Sequence, residues 1–158
     1  MVLIFTVISL LVAGASVPNA LPTYIKPVCS IGDGTGFGWH NDPYTGRQAY
    51  HSGLDFDVDP GYPIMAAASG RVISAEPRGP YGLAVEIDHG RGNRTRYGHL
   101  GVLAVKEGQR ISQGATIGWS GATGRTLTPT LHFEIWHGDS VLDPRGKLLS
   151  NLRCTSQT

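Results

Sequence analysis

From Leu54 to Trp136 the chain is cut into strand-length runs of three to seven residues, each closed by a turn rich in glycine, proline or asparagine. The runs are Leu54 to Val58, Ile64 to Ala66, Gly70 to Ala75, Leu83 to Asp88, Arg94 to Leu100, Ala115 to Trp119 and Leu131 to Trp136. They alternate in polarity or are rich in Val, Ile and Leu, as strands are. With 22 glycines and 10 prolines in all, the chain favours a turn-rich β protein over a helical one.

The connections support the same reading. "DHGRGNRT" (Asp88 to Thr95) is a hairpin connection with two glycines and an asparagine. "KEGQRISQG" (Lys106 to Gly114) reads as a pair of turns around a short strand. Only "DPRGKLLSNL" (Asp143 to Leu152) has room for a short helix, with Asp143 as its N-cap and Pro144 in its first turn. The expected fold is all-β, a mostly antiparallel sheet with long loops and minimal helix.

A chain of 158 residues points to one domain, and a net charge of +1 gives no footprint for nucleic acid. "MVLIFTVISLLVAG" is apolar and uncharged but shorter than the ~20 residues a membrane span needs. It runs into Ala13-Gly14-Ala15, a small-x-small cleavage pattern, and residues 1–20 read as a signal peptide cut near Ala15 or Ala20. A short N-terminal anchor is the alternative, because no Lys or Arg precedes the run. Residues 21–158 then form a single exported domain, periplasmic or extracellular, expected to be a monomer with no stable membrane span. Two cysteines, Cys29 and Cys154, lie near the ends of that domain, where one bridge would tie them together. Closing so long a loop stabilises by about 4 kcal/mol in the chain-entropy model. Two unpaired cysteines are the other possibility.

Among the six histidines, "HSGLD" spaces His51 from Asp55 with Gly53 between them. Gly53 admits an unusual backbone angle that would aim both side chains at one point. Asp55 opens a strand whose Asp57 and Asp59 share its face while Phe56 and Val58 face the core. A metal pair and a surface pair both fit this spacing. In "LHFEIW", Leu131, Phe133 and Ile135 share one face, while Thr130, His132 and Glu134 share the other. His51, Asp55 and His132 would make a set of two histidines and one carboxylate, which leaves zinc an open position for water. His99, in "RYGHL", reads either as a partner in proton transfer or as a partly buried histidine bonded to backbone. His89 falls in a turn and is expected to be exposed, as is His137, whereas His40 is placed to line a cleft.

Five ordered blocks resemble the lysostaphin/LytM-type zinc metallopeptidases across about residues 31 to 146. They are "GFGWHNDPYTGRQAYHSGLDF", "GYPIMAAASGRVISA", "YGLAVEIDHGRGNRTRYGHL", "VKEGQRISQGATIGWSGATGRT" and "LHFEIW" with "LDPRG". The resemblance implies a groove over one sheet and zinc held by His51, Asp55 and His132. It further implies His99 as a catalytic histidine and cleavage of peptide bonds in bacterial peptidoglycan.

The chain departs from the family pattern at two places. His40 stands where the family commonly has an arginine. Thr130 stands where the closing H.H motif has its first histidine, which acts near the metal-bound water. A threonine hydroxyl exchanges hydrogen bonds but is no general base near neutrality. Losing a positioned proton acceptor costs ~10²–10⁴ in rate. Glu134 either takes over that work or orients a zinc ligand. Two functions follow: an impaired zinc endopeptidase, or a zinc-retaining member without turnover that binds peptidoglycan or regulates another wall hydrolase.

Overall fold

The computed structural model describes residues 21–29 and 32–149. The strands in chain order are β1 (Tyr24–Ile25), β2 (Gly32–Asp33), β3 (Gly38–Asn41), β4 (Gln48–His51), β5 (Leu54–Asp57), β6 (Pro63–Met65) and β7 (Gly70–Pro77). They continue with β8 (Leu83–Gly90), β9 (Asn93–Leu103), β10 (Arg110–Ile111), β11 (Thr116–Ser120), β12 (Thr130–His137), β13 (Ser140–Leu142) and β14 (Leu148–Leu149). Among the described residues there is no α-helix, only 3₁₀ turns at Gly79–Tyr81 and Pro144–Gly146.

One large sheet carries the order β10-β7-β8-β9-β12-β5-β2, with β11 bridging β9 and β6 and with β13 on β12. All of its pairings are antiparallel. The strand β12 lies inside the sheet, between β5 and β9. Its alternation sorts the two faces. Leu131, Phe133 and Ile135 are fully buried and join Phe56, Tyr97, Ile87 and Val72 in the core. Thr130, His132 and Glu134 point the other way. The apolar half of "TLHFEIW" thus anchors the polar half in a fixed register.

Each of the seven expected runs is a strand, with one or both ends shifted by one to three residues. The hairpin β3–β4 and the strand β13 were not anticipated. Gly38 to Asn41 alternates, but around a tryptophan that faces solvent, so no apolar stripe marks it. Where Asp143 to Leu152 had room for a short helix, the described part to Leu149 holds one 3₁₀ turn. Asp143 does cap that turn, accepting from the Arg145 amide at 3.0 Å. Leu148 and Leu149 then leave it as β14, pairing in parallel with Tyr24 and Ile25. A strand partner from the far end of the chain has outweighed local propensity. The remainder of that segment lies outside the described residues, as do Cys154, the Cys29–Cys154 bridge and the expected signal segment. No helix among the described residues is long and apolar enough to cross a membrane.

Candidate metal centre

His51 ends β4, Asp55 sits in β5 and His132 sits in β12. Asp55 and His132 are direct cross-strand partners, which brings their side chains together on one face. The nitrogen Nε2 of His51 lies 3.1 Å from Asp55 Oδ1 and 3.0 Å from His132 Nδ1. His132 Nδ1 lies 2.8 Å from Asp55 Oδ1. Three donor atoms therefore form a small triangle. A tetrahedral zinc with bonds of ~2.0–2.1 Å asks for donors roughly 3.3 Å apart, so the triangle fits it with slight expansion. These are the residues among those described that could jointly hold a metal ion.

Each histidine is held by its other nitrogen. The Nδ1–H of His51 donates to the Gly36 carbonyl at 2.8 Å, leaving Nε2 to face the triangle. The Nε2–H of His132 donates to Glu134 Oε1 at 3.2 Å, leaving Nδ1 to face it. Such partners fix tautomer and ring orientation.

Glu134 is fully buried and saturated with donors. Its Oε1 also accepts from Tyr81 at 2.9 Å and from the Ser52 hydroxyl, and its Oε2 accepts from Arg96 at 2.8 Å and Trp136 at 2.7 Å. Burial pushes its pKa up, but bonds from His132, Ser52 and Trp136 prevail and bring it down to about 2. Arg96 in turn pairs with the buried Glu86 at 3.1 Å, and Glu86 with Arg94 at 2.8 Å. The polar face of β12, β9 and β8 is thus an alternating row of charges, so each buried ion has its opposite beside it.

Burial pushes Asp55 up as well, but bonds from His132 and His51 hold it well below the usual carboxylate range. Burial pushes His132 down, yet Asp55 and Glu134 on its two sides raise it to about 9.

Gly53 is a correction. Its φ is not among the positive angles, so an unusual backbone angle is not what it supplies. It supplies space: a Cβ there would lie 2.5 Å from the Phe133 carbonyl oxygen and 2.8 Å from Cε1 of His132. Among the groove-lining residues the positive angle belongs to His99, at φ 62°. Its Nδ1–H donates to the Thr123 carbonyl at 2.8 Å, and its ring stands 5.9 Å from that of His132, edge on. His99 is thus bonded to backbone, as one of its two readings expected, and it also lines the groove. Burial holds its imidazole below the ordinary value.

The triangle lies in a groove of about 460 Å³ that His40, His99 and Thr130 also line. His40 is half-buried on β3, its ring 5.5 Å from that of His51. Thr130 is buried, opposite Asp57 across the β5–β12 ladder, with its hydroxyl 3.4 Å from that of Thr128. His137 is exposed, but His89 is not the exposed turn residue expected. It belongs to β8 and bonds the Ser69 carbonyl at 2.9 Å and the Thr95 hydroxyl at 2.7 Å, away from the groove.

Sequence reading missed the tie across the groove. Arg125 donates to both carboxylate oxygens of Asp42, at 2.9 and 2.7 Å, and its guanidinium lies 4.6 Å from the centre of the Tyr44 ring. Asp42 also caps its own turn through the amides of Tyr44 and Thr45. "NDPYTG" carried the turn signal, but nothing in one sequence pairs it with Arg125, 83 positions on.

Residues 49–144 match the model of peptidase family M23. The peptidoglycan DD-endopeptidase ShyA of Vibrio cholerae is 42% identical over 93 residues, 59% of this chain and 22% of that protein. The DD-carboxypeptidase/endopeptidase Mpg of Neisseria meningitidis is 34% identical over 110 residues, 70% of this chain and 25% of its own. This chain thus spans about a quarter of the length of these relatives. Among solved structures, a zinc-containing peptidase from Vibrio cholerae superposes with a TM-score of 0.72 at 32% identity, over 82% of this chain and 40% of that one. The catalytic domain of lysostaphin from Staphylococcus simulans gives 0.66 at 32% identity, over 72% of this chain and 88% of that domain.

Proposed function

The chain belongs to peptidase family M23, and from that premise we propose that it is an exported zinc endopeptidase hydrolysing peptide bonds in bacterial peptidoglycan. The observation that carries this reading is the triangle of His51 Nε2, Asp55 Oδ1 and His132 Nδ1, open to a groove in which His99 also stands. Those three atoms would hold the zinc. When bound, zinc supplies Lewis acidity for carbonyl and water at neutral pH.

The chain's own residues do the rest. Gly36 and Glu134 fix the two ligand histidines in one tautomer each. His99 gives its Nδ1–H to Thr123, so Nε2 is its free nitrogen, and burial lowers its pKa, which favours the neutral ring. A neutral Nε2 accepts a proton rather than donating one. His99 is therefore the proton acceptor of the groove, where Thr130 is none. Glu134 is committed to five donors and orients His132. Residues 1–20 act as the export signal and 21–158 as one monomeric domain. The parallel pairing of Tyr24–Ile25 with Leu148–Leu149 supports a bridge between Cys29 and Cys154, since the cysteines follow these paired strands by four and five residues.

Thr130 favours a second reading, a wall-binding or regulatory protein that keeps zinc without turnover. Digestion of purified sacculi by zinc-loaded protein separates the two. Endopeptidase action predicts chelator-sensitive release of wall peptides, and Thr130→His should raise the rate by ~10²-fold or more. No release from several peptidoglycan types, together with gain of activity in Thr130→His, would establish the second reading instead.

A further inference from the structure

The hairpin β3–β4 stands apart from the main sheet as a separate two-stranded ribbon. Its two faces differ in kind. His40, Ala49 and His51 are half-buried and line the groove. Trp39, Asn41, Gln48 and Tyr50 alternate with them and are exposed, and Tyr50 also reaches the groove. Trp39 is 72% exposed, an unusual cost for the largest side chain on a soluble surface.

The exposed face is ordered. Trp39 and Tyr50 are cross-strand partners, with ring centroids 5.5 Å apart at 73°. Phe37 meets the other side of this cluster, 5.5 Å from Tyr50 at 78°. These edge-to-face contacts order Trp39, Tyr50 and Phe37 as one cluster. The next outward pair along the ladder is Asn41 with Gln48, joined by Gln48 Nε2 donating to Asn41 Oδ1 at 2.6 Å. That bond leaves one N–H of Gln48, its Oε1 and the Asn41 NH₂ for an external partner. None of the four side chains carries a charge.

A flat aromatic beside neutral amides has few matching partners. Nucleic acid and anionic membrane surfaces call for Lys and Arg, which this strip lacks. A pyranose ring matches both parts: its C–H face packs on an indole, and its hydroxyl and acetamido groups pair with amides. The strip is also continuous with the groove, because His51 follows Tyr50 directly and points to the opposite face.

We infer that the outer face of the β3–β4 hairpin, centred on Trp39 with Asn41 and Gln48, binds the neutral acetamido-sugar chain of the wall polymer whose peptides enter the groove. The inference rests on the peptidoglycan reading above. It adds a second contact, to sugar, carried by the same ribbon that presents His51.

The test uses the full protein and a soluble pentamer of β-1,4-linked N-acetylglucosamine, which holds no peptide bond to cut. The Trp39 indole N–H resonance is assigned by its loss in Trp39→Phe. It should shift saturably with the oligomer. Trp39→Ala should weaken binding about tenfold, while Trp39→Phe should stay within about threefold of wild type. Chelator-treated protein should bind the oligomer as the zinc-loaded protein does. That arm keeps the sugar contact separate from any failure of hydrolysis. Absence of a saturable shift, equal binding by Trp39→Ala, or a shift of this resonance by anionic phospholipid vesicles or sugar-free stem peptide but not by the oligomer would overturn the inference.

Discussion

Glu134 accepts the Nε2–H of His132, and this bond turns Nδ1 of His132 toward Asp55 and His51. The two residues are neighbours on one face of β12, so the proposed ligand and its orienting group come from the same strand. Glu134→Gln keeps the shape but makes the group at Oε1 and Oε2 a mixed donor and acceptor, which cannot accept from all five present partners. Zinc affinity is expected to fall 10–100-fold, the usual effect of removing such a partner. Competition against a chromophoric chelator measures it, and an affinity within twofold of wild type would show that Glu134 does not orient the ligand.

His99 holds a left-handed backbone angle that costs a residue with a Cβ about 1–2 kcal/mol. The groove geometry supplies the reason to keep it there. His99→Ala and His99→Gly both remove the imidazole, so both should lower turnover by ~10²–10⁴. They should differ in stability, since glycine alone relaxes at φ 62°. Denaturant unfolding should therefore find His99→Gly more stable than His99→Ala by about 1 kcal/mol. Equal midpoints would remove the claim of backbone strain.

Much of this was legible in the sequence where period two was strong. "TLHFEIW" announced both faces of β12, and its apolar half is the buried core of the sheet. His51, Asp55 and His132 stood out because their residue types and order carry chemistry, and the fold brings them together. The β3–β4 hairpin was not legible, because its groove face is polar and its tryptophan faces water, so no apolar stripe marks it. Arg96, Glu86, Tyr81 and Arg125 were missed for another reason. Their partners come from other strands or loops, and such pairing exists only once the sheet has set its register.

Gly53 was singled out for the wrong physical reason, and the corrected reason gives a sharper expectation. A methyl at 53 would press on the Phe133 carbonyl oxygen and on the His132 ring. Backbone cannot yield to a contact of 2.5 Å without parting β12 from the segment before β5. Gly53→Ala should therefore weaken zinc binding and lower the midpoint of thermal unfolding together. A variant that binds zinc normally would show that the segment shifts aside without moving His132.

Metal binding should release a proton whose source is His132. Without metal, His132 sits between two carboxylates, donating from Nδ1 to Asp55 and from Nε2 to Glu134, with its pKa raised to about 9. Zinc needs Nδ1 free, so it must displace that proton. Between pH 7 and 8, titration calorimetry in buffers of different ionisation enthalpy should find at least one proton released per zinc, one from His132 and a further share from ionising zinc-bound water. The His132 share should fade as pH rises past about 9, where His132 is already neutral, so total release should drop by about one proton. The stability of the metal-free protein follows with the matching sign. A pKa raised on folding from 6.5 to about 9 stabilises fully below 6.5 and is lost as pH rises through 9. Metal-free protein should thus lose stability across that window, while zinc-loaded protein, whose His132 carries no Nδ1 proton to lose, should not. Proton release near zero at pH 7 would mean that His132 is neutral before zinc arrives, and would remove both expectations.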